Sequence, residues 1–217
     1  TITATGAITQ KAENHADVFA VTIAASVSTT GSGVGGIVDA IVMDNHVSSI
    51  VGNDAAITAG QDITISAISE AKLMLAALSI AAAGGSAAVG GTLAVVVVNT
   101  VTKAEVGNGA HLTSTTGSIL VNAGSYDQLI NVLAAATAAT GGTAVAGTLG
   151  VLIALNQTTA RIGIGAHLTA LKDVSVTALG KTWLFVLAAA LSAASDTAVG
   201  ATLSDNVLSR TILTQLD

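Results

Sequence analysis

Leu75–Val98 reads LAALSIAAAGGSAAVGGTLAVVVV, with no charged residue and no side chain larger than leucine or isoleucine. It can be a membrane span, a buried helical hairpin, or two strands joined at the glycines. A helix of about 20 apolar residues crosses a bilayer, so length alone permits the first. The middle of the stretch argues otherwise, because each Gly inside a helix costs about 1 kcal/mol relative to Ala. The Val run that follows favours strand, and no Lys/Arg cluster flanks the segment to orient it in a membrane.

The same segment occurs four times. An alternating apolar stretch ends near Ala12, Ala67, Ala123 and Ala178, and a long apolar run opens six residues later at Val18, Leu73, Leu129 and Leu184. A second marker is Val34-Gly35-Gly36-Ile37-Val38. It returns as Val89-Gly90-Gly91-Thr92-Leu93, Val145-Ala146-Gly147-Thr148-Leu149 and Val199-Gly200-Ala201-Thr202-Leu203. VGNDAAIT, VGNGAHLT and IGIGAHLT close three of the units. Markers agreeing in register over about 55 residues are the signature of a repeat architecture.

The first unit places VFAVTIAASVSTTGSGVGG where the second has the opening stretch, and the fourth carries Ser195-Asp196 in the middle. The first version is β-branched and rich in Thr, Ser and Gly, which suits strand and not helix. Strand is the state all four can share. Further on, Thr102-Lys103-Ala104-Glu105-Val106 and Thr158-Thr159-Ala160-Arg161-Ile162 alternate with period two, the strand pattern. The reading is therefore an all-β, parallel β-helix-like repeat solenoid. Its four tandem units cover 1–55, 56–110, 111–166 and 167–217 of one repeat domain. A unit of this length is two coils or one flattened coil.

The long strands read as apolar on both faces, as in Leu73–Ala83, and such strands are normally covered on both. The second cover is then expected from another sheet of the chain, from a neighbouring molecule, or from lipid. The Gly pairs 35/36, 84/85, 90/91 and 141/142, with Val95 and Val97, are the candidate packing and assembly residues, setting close backbone approach or turns. Replacing Gly90 and Gly91 by Val is expected to hinder assembly and leave the chain soluble.

Composition fits this picture. Of 217 residues, 51% are hydrophobic, 9% charged and 2% aromatic, with 23 Gly and neither Pro nor Cys. Charged residues fall far below the usual quarter of a soluble domain. The net charge of −6 has no basic patch, which argues against nucleic acid. Proline is excluded from central strands, so its absence suits sheet. Without cysteine there is no disulfide or thiol chemistry.

GNGAHLTSTTGSILVNA and AAITAGQDITISAIS, with the Ala/Gly runs that join them, resemble repeats of large secreted bacterial surface proteins. These are the adhesin passengers of the filamentous-haemagglutinin and autotransporter-like kind. The resemblance covers the whole chain through motifs that are compositional. It implies a right-handed parallel β-helix serving as a stalk or adhesive rod, outside the cell or on its surface, with contact to a cell or host surface as a possible role. It brings no catalytic residues with it.

Few residues invite chemistry. His111 and His167 follow Gly-x-Gly-Ala in successive units and could form a two-rung metal ladder; a turn-edge histidine without ligand is the plainer reading. Gly52, Asn53, Asp54 and Asp62 resemble a calcium-binding β-roll turn, but that motif must recur every nine residues and here it occurs once. There is no Gly-x-Ser-x-Gly elbow, and the Gly-rich runs lack the Lys of a phosphate loop. The expectation is no enzyme, no cofactor and no metal. The chain reads as a secreted structural repeat that associates with other copies of itself into a fibre, sheath or surface layer. The rivals are an adhesin stalk, for which Tyr126 and Trp183–Phe185 are the only patch breaking the repeat, and a membrane-active apolar segment.

Overall fold

A computed structural model describes all 217 residues; 82% lie in strands and none in a helix. Each repeat contributes one short and two long strands. The first has β1 (Ile2–Ala4), β2 (Ile8–Ser28) and β3 (Gly33–Val51). The second has β4 (Ala56–Ala59), β5 (Ile63–Ala83) and β6 (Ala87–Val106). The third has β7 (His111–Ser114), β8 (Ile119–Ala139) and β9 (Thr143–Ile162). The fourth has β10 (His167–Ala170), β11 (Val174–Ala194) and β12 (Thr197–Leu216). Leu75–Val98 is thus the end of β5, a turn at Gly84–Ser86, and the start of β6.

Equivalent strands stack in parallel into three four-stranded sheets. They are a short sheet (β1-β4-β7-β10), an outgoing sheet (β2-β5-β8-β11) and a returning sheet (β3-β6-β9-β12). Pairing follows the repeat residue for residue: Ala12, Ala67, Ala123 and Ala178 are neighbours across the outgoing sheet. Val34, Val89, Val145 and Val199 are neighbours across the returning one. Each unit is therefore one flattened coil of a parallel β-solenoid. Strands of about 20 residues at about 3.3 Å per residue make the solenoid a blade, closed by the short sheet at one edge and by tight turns at the other.

The G-x-G-A corner beside the short sheet needs a left-handed residue, supplied by Gly109 (φ 64°) and Gly165 (φ 68°), with Asp54 (φ 53°) in the same place one coil before Gly109. Asn53 Oδ1 accepts from the Asn108 amide at 2.9 Å, and Asn108 Oδ1 from the Ile164 amide at 3.0 Å. Asp62 accepts from the Ser118 amide at 2.7 Å. The acidic and amide residues of this stretch thus act as rungs that tie one corner to the next.

The interior tapers. Beside the short sheet it holds Ile63, Ile65, Val106, Leu112 and Ile119; in mid-blade Leu73, Leu75, Val96, Leu129, Leu133 and Leu152; at the turns only Ala83, Ala88, Ala139 and Ala144. Toward the turns, side chains of one long sheet reach main-chain carbonyls of the other. Ser79 Oγ donates to Gly35 O at 3.1 Å, Thr92 Oγ1 to Ala134 O at 2.8 Å, and Thr148 Oγ1 to Ala189 O at 2.9 Å. A hydroxyl one bond beyond Cβ spans that gap only where the sheets lie closer than the usual separation of about 10 Å. Small side chains permit this approach.

The double-sided apolar pattern is thus half explained. The inward face of each long strand is covered by the other long strand of its own coil. The outward face has no cover within the chain.

Candidate functional site

Inward and outward residues alternate, so the outward face can be read as rows running across the four coils. On the outgoing sheet the rows from Phe19, Met74, Ile130 and Phe185 to Val27, Ala82, Ala138 and Ala193 are apolar throughout. On the returning sheet the rows from Val34, Val89, Val145 and Val199 to Val42, Val97, Ile153 and Val207 are apolar except for Asp205 on the last coil. Val42 is 77% exposed and Phe19 71%. Bonds through the blade show which residues lie opposite one another. Thr22 Oγ1 donates to Asp39 Oδ1 at 3.0 Å, and Asn14 Nδ2 to Asn45 Oδ1 at 3.1 Å. By that correspondence Phe19 and Val42 lie back to back, and the two apolar faces end at the same height. The turn half of the blade is therefore wrapped by one apolar band, about 30 Å tall at about 3.3 Å per residue.

The other half is polar outside. His15 Nδ1 lies 3.0 Å from Glu70 Oε2 and its Nε2 3.2 Å from Asp17 Oδ2. Arg161 joins Glu105 (3.1 Å) to Asp217 (3.0 Å) across three coils. Asp217 is held below the usual carboxylate range by the Gln215 amide first and by Arg161. The chain's only Tyr and only Trp stand at the border between the halves. Trp183 stacks on Phe185 (centroids 6.2 Å apart, 9° between planes), and the Lys181 ammonium lies 5.9 Å from the Tyr126 ring centre. Phe19 completes the border, so every aromatic side chain of the protein lies on the outgoing face within three rows. A cavity of about 570 Å³ opens among Glu70, Lys72, Tyr126, Gln128, Lys181 and Trp183.

Beneath the border, inside the blade, a polar layer separates the two large apolar clusters. Asp127 accepts from Thr100 Oγ1 (3.3 Å) and Asn156 Nδ2 (2.7 Å). Asn156 Nδ2 also lies 2.6 Å from Ser125 Oγ, and Thr158 Oγ1 donates to Asn156 Oδ1 at 3.0 Å. Burial pushes the Asp127 carboxyl up from its ordinary value, and these hydrogen bonds hold it back in part. His111 and His167 are neighbouring rungs whose rings stack at 5.0 Å and 14°. No three His, Asp or Glu side chains converge to hold a metal ion.

The glycines chosen from sequence divide into three groups. Gly84, Gly85, Gly141 and Gly142 form the turns; a Cβ on Gly84 would lie 2.2 Å from Thr29 O, and Gly142 has φ 96°. Gly35 and Gly90 point into the blade, where a Cβ would come 2.8 Å from Ile80 O and 2.8 Å from Thr137 Cγ2 respectively. Gly36 and Gly91 point outward beside Val95 and Val97, in the band. Gly90 and Gly91, neighbours in the sequence, thus face opposite sides: Gly90 lies against the interior and Gly91 on the outer surface. Gly147 belongs to the same outward row and was missed in the sequence, as was the buried Asp127–Asn156 layer. The third marker position is Gly, Gly, Gly and Ala in successive units, and strand parity applied to it would have exposed the row.

No family model, curated protein or solved structure matches the chain.

Proposed function

We propose that this chain is a structural solenoid segment of a secreted or surface-exposed bacterial protein, and that it associates with other copies of itself into a fibre, sheath or layer. The observation that carries the reading is the apolar band, uncovered on both outward faces and ending at one height. Burying apolar surface stabilises by about 25 cal/mol per Å², and exposed patches of more than a few hundred Å² mark interaction surfaces. The extracellular location and the surface-protein kinship rest on the resemblance of GNGAHLTSTTGSILVNA and AAITAGQDITISAIS to adhesin-passenger repeats. A stalk within such an adhesin would use the same rod.

Electron microscopy and fibre diffraction of the purified chain in physiological buffer test this. Assemblies with a strand spacing of about 4.8 Å support it. A chain that stays monomeric at all concentrations sinks it.

A lipid surface is the second reading, favoured by Phe19, Tyr126, Trp183 and Phe185, which stand within three rows at the band's border. Transmembrane barrels carry aromatic girdles in that position, around an apolar zone about 25 Å tall. Flotation with phosphatidylcholine vesicles separates the two readings, since binding to vesicles is expected only of the second.

A further inference from the structure

The returning sheet carries a shape feature that its own fold does not need. Gly36, Gly91, Gly147 and Ala201 form one outward row across all four coils. The row is the floor of a groove of about 580 Å³ walled by the ridge of Val38, Leu93, Leu149 and Leu203. Glycine weakens a strand, so a row of glycines calls for a reason. None lies within the coil: a Cβ at Gly36 or Gly91 would meet nothing closer than 3.7 Å, at Gly147 nothing within 4 Å, and none of the three has positive φ. Gly35 and Gly90 inside the blade and Gly84, Gly85 and Gly142 in the turns, by contrast, are pinned by contacts at 2.8 Å or less. What the outward row leaves open is space for something outside the chain.

We infer that this groove receives the leucine ridge of a second copy, across a two-fold axis that runs along the solenoid between the glycine row and the ridge. The inference rests on the self-association reading and adds the face, the register and the symmetry. A two-fold interface uses one patch on both partners, so each feature must face its complement. Groove and ridge are adjacent rows, two residues apart on every strand. An axis midway between them lays each copy's ridge in the other's groove, coil against equivalent coil. An axis along the strands would set ridge against ridge and is excluded by the same geometry.

The remaining rows agree. With the axis between Gly91 and Leu93, the row of Val89 faces the row of Val95, and the row of Ala87 faces that of Val97. The row of Asn99 then falls opposite the partner's turn at Gly85, so the polar half of each copy projects past its partner into water. The docked region has about ten residues along the strands and four strands across. At about 3.3 Å per residue and 4.8 Å per strand, that is about 630 Å² on each copy. The total, about 1,250 Å², clears the roughly 1,000 Å² expected of a specific interface. The one charged group of the docked rows is Asp205, on the fourth coil.

The test uses the whole chain in buffer without lipid. Gly147→Leu fills the groove where the fold has open space, and Gln157→Leu alters the same sheet outside the docked rows. Sedimentation equilibrium is expected to show association weakened at least tenfold by Gly147→Leu and unchanged by Gln157→Leu, with circular dichroism the same for all. For the register, Gly147→Cys and Leu149→Cys chains are mixed and oxidised. The mixture is expected to form disulfide-linked dimers faster than either chain alone. If the chain assembles but Gly147→Leu assembles equally well, or the mixture links no faster, this interface is wrong and the broader reading stands. If the chain is monomeric throughout, both fall. A monomer that floats with phosphatidylcholine vesicles overturns both and assigns the band to lipid.

Discussion

Gly90 and Gly91 are neighbours in sequence, and the structure predicts opposite outcomes when each is replaced by Val. A Cβ on Gly90 comes 2.8 Å from Thr137 Cγ2 and 3.6 Å from Ser79 Oγ, before the two γ-methyls of Val are added. Thr137 has little room to yield, since its hydroxyl bonds Ser192 Oγ at 3.1 Å. Forcing extra carbons into a packed interior costs about 1–3 kcal/mol, and loss of a strand glycine returns about 0.5–1. The net effect of Gly90→Val is a destabilisation of about 1 kcal/mol at the middle of these ranges and of about 2.5 kcal/mol at most. Gly91→Val meets only Gly147 O at 3.7 Å, keeps the favourable part alone and stabilises by about 0.5–1 kcal/mol. For a chain of this length, 1 kcal/mol moves Tm by about 2–4 °C. Gly90→Val is then expected to lower Tm by about 2–4 °C, and by about 10 °C at most, and Gly91→Val to raise it by about 1–4 °C. The melts belong at the lowest workable concentration, because binding to another copy stabilises the folded state by mass action. Equal shifts of the same sign in the two variants would refute the assignment of one residue to the interior and the other to the surface.

Two further substitutions probe the interior. Asn131 is buried on the row of Leu75 and Val186, and neither its Oδ1 nor its Nδ2 has a partner. An unsatisfied buried polar group costs about 1–3 kcal/mol, so Asn131→Leu is expected to stabilise by about 2 kcal/mol, read from the denaturation midpoint; no gain would show that the amide is satisfied in solution. Asp127 has its carboxyl raised by burial, so the folded state holds its proton more tightly than the unfolded chain does. Stability from this group is complete below the unfolded value of 3.8 and declines as pH rises through the folded value. Asp127→Asn is expected to remove that decline in urea melts taken across the acid-to-neutral range, and an unchanged pH profile would assign the dependence to another group.

The repeat was legible because the solenoid stacks equivalent residues directly on one another. The alanines 12, 67, 123 and 178 recur in sequence for the same reason that they pair in space. Strand state was legible because the Thr- and Gly-rich first unit cannot be a helix. The number of coils per unit was not, since it depends on where the long strand folds back, and GGS, TGG and TTGS are turns only because small interior residues let two sheets meet there. The destination of the apolar residues was hidden for a related reason. In Leu73–Ala83 both parities are apolar, and only the pairing shows that Leu73 and Leu75 go inside while Met74, Leu78 and Ile80 stay out. The buried layer of Ser125, Asp127 and Asn156 was invisible too, because Asn156 lies 29 residues beyond Asp127 and each resembles a loop residue when read alone.

The distribution of bulk across the blade gives the apolar band its meaning. A solenoid that needed only to hold itself together would place its largest side chains inside and small or polar ones outside. Toward the turns the order is inverted: Ala83, Ala88, Ala139 and Ala144 fill the interior, while Val27, Val34, Leu93, Leu149 and Leu191 face outward. The small interior brings the sheets close enough for Ser79 and Thr92 to bond across them, so the fold is secured there by hydrogen bonds and close contact. The apolar area displaced to the outside adds nothing to an isolated coil. It contributes free energy only when another surface removes it from water. The short-sheet half, with its Ile and Leu core and its ladders of Asn and Arg, keeps its bulk inside, where it stabilises the coil itself.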